Sequence, residues 1–259
     1  MLTRDEFIRR FSSGVHLLDG ATGTELWKAG MPRSTCPEQW ILEHPQPLLA
    51  LQQAYASAGS EIIYAPTFRA QPLALLKWNL AEKAESINRE LVALSRKAAP
   101  GCLVAETRMD SAEALAVLEL AKGPDVPAVM VSFTCRNADY LWSGETVAEA
   151  FEAVEKAGAA AIGVNCVAAS DELPDFIAKV RARTALPVIC KPNAGIPSNG
   201  KYPVGKACFA SILLDCVKSG AVLVGGCCGT TPEYIRLIRE YLDSRHPDNP
   251  AGIDTRRHP

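Results

Sequence analysis

Hydrophobic and polar positions alternate along the chain between a period typical of strands and a period typical of helices. Seven short apolar runs predict strands: VHLLDG, EIIYAP, CLVAET, AVMVSF, AAIGVNC, PVICKP and AVLVGGCC. Longer stretches between them have helical spacing, and several end in glycine, a common helix stop, as in TVAEAFEAVEKAG and KACFASILLDCVKSG. This alternation indicates βα units around a parallel sheet and predicts an α/β protein.

The seven predicted strands are one fewer than a complete barrel requires. A complete (β/α)₈ barrel needs eight strands, and a chain of 259 residues ordinarily forms one such domain. We therefore expect a single barrel domain over residues 1–243. Residues 244–259 lack periodic apolar positions and are expected to form a flexible tail.

Composition and charge narrow the classes of function. Hydrophobic residues make up 48% of the chain and charged residues 22%, which are globular values. A net charge of -2 offers no general attraction for nucleic acid or anionic membranes. The N-terminal stretch alternates charged and apolar residues, so we expect neither a signal peptide nor a membrane span, and we predict a cytoplasmic location.

The chain has nine cysteines, and an odd number without an export signal favours free thiols or metal ligands over disulfides. Cys190 and Cys216 lie in apolar runs and are expected to be small buried hydrophobes. Cys227 and Cys228 differ because glycines surround them at the end of a predicted strand, so both thiols can approach one ion. Cys166 ends another strand run and could supply a third thiolate. The alternative is a tight turn with two buried thiols.

Three thiolates with an open fourth position are typical of a catalytic zinc site. Such a soft site suits a thiol substrate, because coordination would deprotonate the thiol near neutral pH and make it a nucleophile. The four histidines are not spaced as metal ligands, and no glycine-rich run matches a nucleotide-phosphate loop. Histidine-based zinc chemistry and phosphoryl transfer are therefore not expected.

A second candidate feature is the turn DGATGTEL, which begins at Asp19. Backbone amides in this turn could face an anionic group such as an amino-acid carboxylate. Alternatively, Thr22 or Thr24 caps a helix there. Glu106 ends another predicted strand and could hold a substrate ammonium together with Asp19, although each acid by itself is also compatible with a solvated loop.

These motifs together resemble the homocysteine S-methyltransferase family. The similarity extends over nearly the whole chain, and it is strongest to the homocysteine-binding module of cobalamin-dependent methionine synthases. The motifs that carry the resemblance are DGATGTEL, GVNC, PNAG, GGCCGTTPEYI and the segment CPEQWILEHPQPLLALQQAYASAGSEIIYAPTF.

The resemblance implies a TIM-type (β/α) barrel with Zn²⁺ held by Cys166, Cys227 and Cys228. It also implies a set of contacts with homocysteine, in which two acids hold the ammonium, a backbone turn receives the carboxylate and an asparagine supports the site. In the present numbering these residues are Asp19 and Glu106, then Gly20, Ala21, Thr22 and Gly23, and finally Asn165. The substrate thiolate would attack a methyl carbon in an in-line displacement.

The sequence departs from the family pattern at two places. Family members usually carry a further strand, loop and helix before the run CLVAET, whereas only Pro100 and Gly101 stand here after the helix that ends at Ala99. We therefore expect a barrel shortened by about one βα unit around Pro100-Gly101. Ala21 replaces a glycine that many relatives have, which adds a methyl group beside the expected carboxylate site.

The resemblance leaves the methyl donor open. Because the chain stops soon after the last predicted helix, we expect no cobalamin-binding module in it, so that a methylcorrinoid would arrive on a separate protein. Betaine or S-methylmethionine is the alternative donor, and its cationic group could bind aromatic side chains. The candidate aromatic residues are Tyr64, Phe68, Phe133, Tyr140 and Trp142. Two further alternatives are another thiol or selenol as acceptor and a non-catalytic subunit that binds metal or a corrinoid protein.

Overall fold

The computed structural model describes residues 2–97, 103–121 and 128–244, which form an α/β structure. The described strands are β1 (His16–Leu17), β2 (Leu103–Arg108), β3 (Val129–Phe133), β4 (Ala161–Ala168), β5 (Val188–Asn193) and β6 (Leu223–Val224). The described α-helices are α1 (Arg4–Phe11), α2 (Gly23–Lys28), α3 (Pro37–Glu43), α4 (Pro45–Ser57), α5 (Pro72–Leu76), α6 (Ala84–Ser95), α7 (Ser111–Leu120), α8 (Val147–Lys156), α9 (Leu173–Arg181), α10 (Lys206–Lys218) and α11 (Pro232–Ser244). No helix in these ranges is both long and apolar enough to cross a bilayer.

All six strands belong to one parallel sheet in the order β1-β6-β5-β4-β3-β2. Each strand from β2 to β5 pairs with the next one along the chain, and β6 returns to β1, as in a barrel. Helices such as α8, whose first turn has a Thr146–Glu149 capping box, connect successive strands on the outside.

The predicted strand EIIYAP is the main difference from the sequence analysis. It forms only one parallel bridge, between Leu18 and Ile62, so it extends the sheet beyond β1 without becoming a full strand. Two residues later, the backbone N–H of Tyr64 donates to the Asp19 carboxylate at 2.9 Å instead of to a neighbouring strand. In the described residues no strand pairing connects this segment to β2.

The predicted α/β class with TIM-type architecture is confirmed, and among the described residues no hydrogen-bonded pairing closes the sheet between the Ile62 segment and β2. The predicted loss of a βα unit at Pro100–Gly101 and the predicted tail fall outside the described residues, except for Ser244, which ends α11. The prediction of one domain over residues 1–243 stays a prediction.

Residues on the strands alternate between the barrel interior and the layer under the helices, as the period of two requires. Met130, Ile189 and Leu223 lie in an inner cluster, whereas Val188 and Cys190 pack in the outer one. Phe7 and Phe11 of α1 belong to the inner cluster, which they join from the end of the barrel opposite the strand C-termini. The end of the barrel at the strand C-termini therefore remains available for a functional site.

Candidate functional site

A cavity of about 340 Å³ opens at the C-terminal ends of the strands, where barrel enzymes place their active sites. Its walls come from the turn at residues 20–24, the segment at residues 64–69, the end of β2, Lys191 of β5 and three cysteines. A volume of this size is within the range of small-molecule sites. The cavity therefore combines the sequence motifs that were singled out as chemically active.

Three thiols converge at this cavity. The sulfur atoms of Cys166, Cys227 and Cys228 all lie within 4.8 Å of one another, and the distance from Cys166 Sγ to Cys228 Sγ is 3.9 Å. Cys166 has a left-handed backbone with φ of 55°, at a register shift in β4. This irregularity turns the chain at the strand end and brings the Cys166 thiol towards the loop after β6.

The loop after β6 holds its two cysteines through backbone contacts with the end of β5. The Cys227 N–H donates to the Pro192 carbonyl at 2.7 Å, and the Cys228 carbonyl accepts the Ala194 N–H at 2.9 Å. Gly229 has φ of +85°, and a side chain there would meet the Tyr202 ring at 2.3 Å. Glycine is therefore required after the cysteine pair both by conformation and by space.

The close approach of the thiols separates their proton affinities. Hydrogen bonds from Cys166 and Cys227 hold the pKa of Cys228 well below its ordinary value. Hydrogen bonds with Cys227 and Cys228 raise the pKa of Cys166. The hydrogen bonds within the cluster therefore favour ionisation of Cys228 over ionisation of Cys166.

Asn165 supports the cavity from behind. It is completely buried in β4, and its Oδ1 accepts the Thr107 N–H at 3.0 Å while its amide nitrogen donates to the Thr107 hydroxyl. Thr107 has a left-handed φ of 58° at the end of β2 and lines the cavity. Asn165 therefore connects β4 to β2 across β3 and holds a strained residue in the cavity wall.

A buried ionic network lies beside the thiols. The Lys191 ammonium is 3.0 Å from Asp19 Oδ1 and 3.3 Å from Glu106 Oε1, and its Nζ lies 4.4 Å from the centre of the Tyr64 ring. Lys191 and Asp19 are 3% and 1% exposed. Lys191 and Glu106 line the cavity, whereas Asp19 does not. Asp19 therefore lies behind the lysine.

Burial and charge act against each other in this network. Burial raises the pKa of Asp19 to about 6, although the Lys191 ammonium lowers it. Burial also raises the pKa of Glu106. Burial alone would lower the pKa of Lys191, but the Asp19 and Glu106 carboxylates outweigh it and hold that pKa well above its ordinary value. Lys191 is therefore a permanent cation in the cavity wall.

The turn after β1 lines the cavity, but its contacts differ in part from the sequence expectation. The Ala21 N–H already donates to Thr230 Oγ1 at 3.2 Å, and a side chain at Gly20 would meet the Tyr55 hydroxyl at 2.6 Å, so this glycine is needed for packing. Neither alternative cap is observed. Thr22 makes no side-chain capping bond, and Thr24 Oγ1 accepts the Gly229 N–H at 3.5 Å.

The structure therefore divides the predicted site residues into two groups. One group lines the cavity and comprises Gly20, Ala21, Thr22, Gly23, Glu106, Cys166, Cys227 and Cys228. Asp19 and Asn165 form the second group and lie behind the wall. Sequence reasoning missed Lys191. The period of two along a strand carried a signal for it. Lys191 lies two positions after the apolar residue Ile189 in β5, so the two side chains share the face that points into the barrel.

The aromatic residues predicted as candidates for binding a cationic donor lie in different places. Tyr64 and Phe68 line the cavity, whereas Phe133 is buried against Phe151. Tyr140 lines a separate cavity, and Trp142 is exposed. The prediction that two cysteines are buried core residues is confirmed, since Cys190 and Cys216 are both completely buried.

Comparison with known proteins identifies the family of the chain. The sequence profile described as homocysteine S-methyltransferase matches residues 16–102 and 100–242. The two matched segments meet at the position where the sequence predicts a missing βα unit. The chain is 34% identical over 121 residues to a methionine synthase of Mycobacterium leprae, which covers 45% of this chain and 10% of that protein. It is 30% identical over 172 residues to homocysteine S-methyltransferase 2 of Zea mays, covering 62% of this chain and 50% of that protein.

The chain thus spans half or less of the length of these curated relatives. Among solved structures, the metallated form of the homocysteine methyltransferase MmuM from Escherichia coli has a TM-score of 0.74 at 21% identity, covering 88% of this chain and 96% of that one. This likeness supports the fold. The sequence profile covers most of the chain, and the protein therefore belongs to the homocysteine S-methyltransferase family.

Proposed function

We propose that this protein transfers a methyl group to the thiol of homocysteine and forms methionine, with Zn²⁺ held by Cys166, Cys227 and Cys228. The observation that carries the proposal is the convergence of three thiols on a cavity that also presents buried charges of both signs. The described cysteines are free thiols, which supports the predicted cytoplasmic location.

The residues present fit a zinc ion. A tetrahedral site with Zn–S bonds of about 2.3 Å separates its sulfur ligands by about 3.8 Å, and the Cys166 and Cys228 sulfur atoms lie 3.9 Å apart. Three protein ligands leave one of the usual four positions for a substrate thiol. When bound, zinc supplies a Lewis acid that lowers the pKa of that thiol and so makes it a nucleophile at neutral pH.

The remaining groups of the cavity suit the amino-acid part of homocysteine. Glu106 presents a carboxylate to the cavity and would receive the substrate ammonium, while Asp19 contributes its charge from behind Lys191. The turn at residues 20–23 would receive the substrate carboxylate, with Ala21 excluded as a donor by its bond to Thr230. Asn165 would act by holding the wall residue Thr107.

The methyl transfer needs no protein base once the thiol has lost its proton. A sulfur lone pair of homocysteine would form the new S–C bond while the bond from the methyl carbon to the donor breaks in line. The leading donor is a methylcorrinoid, a choice that rests on the similarity to methionine synthases. That similarity extends over 121 residues of this chain.

A small cationic donor such as S-methylmethionine or betaine is the second candidate, and one observation favours it. Tyr64, Phe68 and Trp27 line the cavity together with the buried carboxylate of Glu38. Aromatic faces and a carboxylate attract sulfonium and quaternary ammonium groups. A methylcorrinoid does not require this lining.

The proposal is tested by zinc content and sulfur coordination in the wild type and in Cys228→Ser, each with and without homocysteine. We expect about one zinc per chain in the wild type, little in the variant, and one additional sulfur neighbour by X-ray absorption when homocysteine is added. Cys208→Ser is the matched control, because Cys208 is exposed and outside the cluster, and should keep its zinc.

Product formation identifies the donor and the class of function. Methionine formation from homocysteine is measured with methylcobalamin, S-methylmethionine and betaine as separate donors. The methylated products of competing thiols and selenols are measured in the same assays. Methionine from any of these donors supports catalysis and names the donor class. Zinc binding without a methylated product from any donor or acceptor would instead indicate a non-catalytic metal- or corrinoid-protein-binding subunit. A folded wild type that binds no zinc under reducing conditions contradicts the proposal.

A further inference from the structure

Lys191 is a buried charged side chain of the cavity that the proposed function does not yet employ, whereas Arg69, which also lines the cavity, is exposed. Lys191 lines the cavity together with the cysteines, and it is held in place by Asp19 behind it and Glu106 beside it. The Tyr64 ring, whose centre is 4.4 Å from Nζ, supports the ammonium from a further side. A lysine with partners on three elements has a fixed position, and its long side chain loses little additional freedom when a ligand binds.

The hydrogen-bond donors of the Lys191 ammonium and the acceptors of the Glu106 carboxylate are only partly used within the protein. A lysine ammonium has three N–H donors. One of them donates to Glu106 Oε1 at 3.3 Å, whereas the contact with Asp19 Oδ1 at 3.0 Å is an ion pair in which that oxygen accepts no hydrogen bond. Within the described residues, Glu106 makes its contact with Lys191 through Oε1, and Oε2 has no assigned hydrogen bond. One N–H of Lys191 and one oxygen of Glu106 therefore remain for a ligand in the cavity.

From this geometry we propose that Lys191 is a substrate-binding residue that receives the carboxylate of homocysteine while Glu106 receives the ammonium. The inference rests on the proposed function, because it names the head-group contacts of the same site. A cation and an anion 3.3 Å apart in one wall match an α-amino acid, whose own ammonium and carboxylate are attached to one carbon. Lys191 supplements the turn at residues 20–23, since a carboxylate has two oxygens.

The competing view is that Lys191 is only an internal counterion, which occupies the place of the substrate ammonium between two acids. The two views differ in what substitution does to selectivity. If Lys191 binds the carboxylate, its loss weakens only ligands that have a carboxylate. If it is a competitor for Asp19 and Glu106, its loss strengthens every ligand that has an ammonium.

The test uses three thiols with the zinc-loaded protein and measures dissociation constants by calorimetry. Homocysteine has both head groups, 3-mercaptopropan-1-amine lacks the carboxylate, and 4-mercaptobutyrate lacks the ammonium. The carboxylate selectivity is defined as the affinity of homocysteine relative to the amine, and the ammonium selectivity as its affinity relative to the acid. These two ratios cancel any uniform change in zinc content or folding.

We expect Lys191→Met to reduce the carboxylate selectivity by about 10- to 100-fold, the effect of one charged hydrogen bond, and to leave the ammonium selectivity within about threefold. Glu106→Gln should show the opposite pattern. Lys206→Met is the matched control, because Lys206 forms an exposed pair with Glu233 at 2.9 Å and lies outside the cavity, and it should change neither ratio.

Removing Lys191 alone leaves the buried Asp19 without its cation, which destabilises the fold. The double variant Asp19→Asn, Lys191→Met removes both charges, and the amide oxygen introduced in place of the carboxylate can still accept the Tyr64 N–H. It should fold and repeat the loss of carboxylate selectivity. Unchanged carboxylate selectivity in this double variant, or a raised ammonium selectivity in Lys191→Met, overturns the inference while the proposed function stands. A wild type that binds no homocysteine overturns both.

Discussion

Replacing Asn165 by alanine should weaken both the fold and the site, because this side chain connects two strands that are not neighbours in the sheet. The variant loses the 3.0 Å bond from the Thr107 N–H and the bond to the Thr107 hydroxyl. Two hydrogen bonds account for about 1–3 kcal/mol, and the space left by a completely buried amide adds to this. We therefore expect the free energy of unfolding to fall by about 2–4 kcal/mol.

The assay is urea unfolding of Asn165→Ala, followed by measurement of zinc affinity and of the homocysteine dissociation constant. Zinc and homocysteine should both bind more weakly, because Thr107 lines the cavity and Cys166 directly follows Asn165 in the chain. Asn88→Ala is a matched control. Asn88 also donates two hydrogen bonds, to Ala70 and Ala84, but it lies in α6, so its loss should lower stability without affecting zinc. A loss below about 1 kcal/mol in Asn165→Ala would refute the reasoning.

Three further predictions concern the cysteine loop, the N-terminal end of the barrel and the metal. Gly229→Ala places a side chain against Tyr202 at a φ of +85° and should lower stability by about 1–3 kcal/mol and reduce zinc content, with partial recovery when Tyr202→Ala is added. Burial raises the pKa of Glu61, but hydrogen bonds from His16 and Arg239 outweigh it and lower that pKa. The wild type should therefore have a higher free energy of unfolding than Glu61→Gln above about pH 4.3, by less than about 1 kcal/mol because the Glu61 contacts are partly exposed. This difference should disappear as the pH falls through the lowered pKa of Glu61. Finally, a chelator should lower the melting temperature of the wild type and leave that of the zinc-free Cys228→Ser variant unchanged.

The sequence predicts the convergence of the three thiols well because the evidence for it is local. Cys166 and the pair Cys227 and Cys228 each follow a strand run, and parallel strands bring their C-terminal ends to one edge. The spacing of thiols around glycine then needs no knowledge of distant contacts. The structure brings all three sulfur atoms within 4.8 Å of one another, as that argument requires.

The parts that sequence reasoning missed depend on distant partners. The run EIIYAP has the composition of a strand, but forming a ladder depends on a partner distant in sequence, and here only the single bridge to Leu18 forms. Lys191 was overlooked because its run PVICKP is apolar apart from this residue. Its role depends on Asp19 and Glu106, which are 172 and 85 positions away in the chain.

The open sheet and the proposed substrate site depend on the same side chains. The sheet has β2 at one edge and the Ile62 segment beside β1 at the other, and no strand pairing joins these edges in the described residues. Lys191, from a central strand, contacts Glu106 in β2, Asp19 after β1 and the Tyr64 ring beyond Ile62. Buried ionic side chains thus connect the edges where backbone hydrogen bonds do not. A homocysteine head group bound to Lys191, Glu106 and the turn after β1 would add a further link between the same elements. Substrate binding should therefore stabilise the edges of this sheet, and hydrogen exchange of β2 should slow when homocysteine is present.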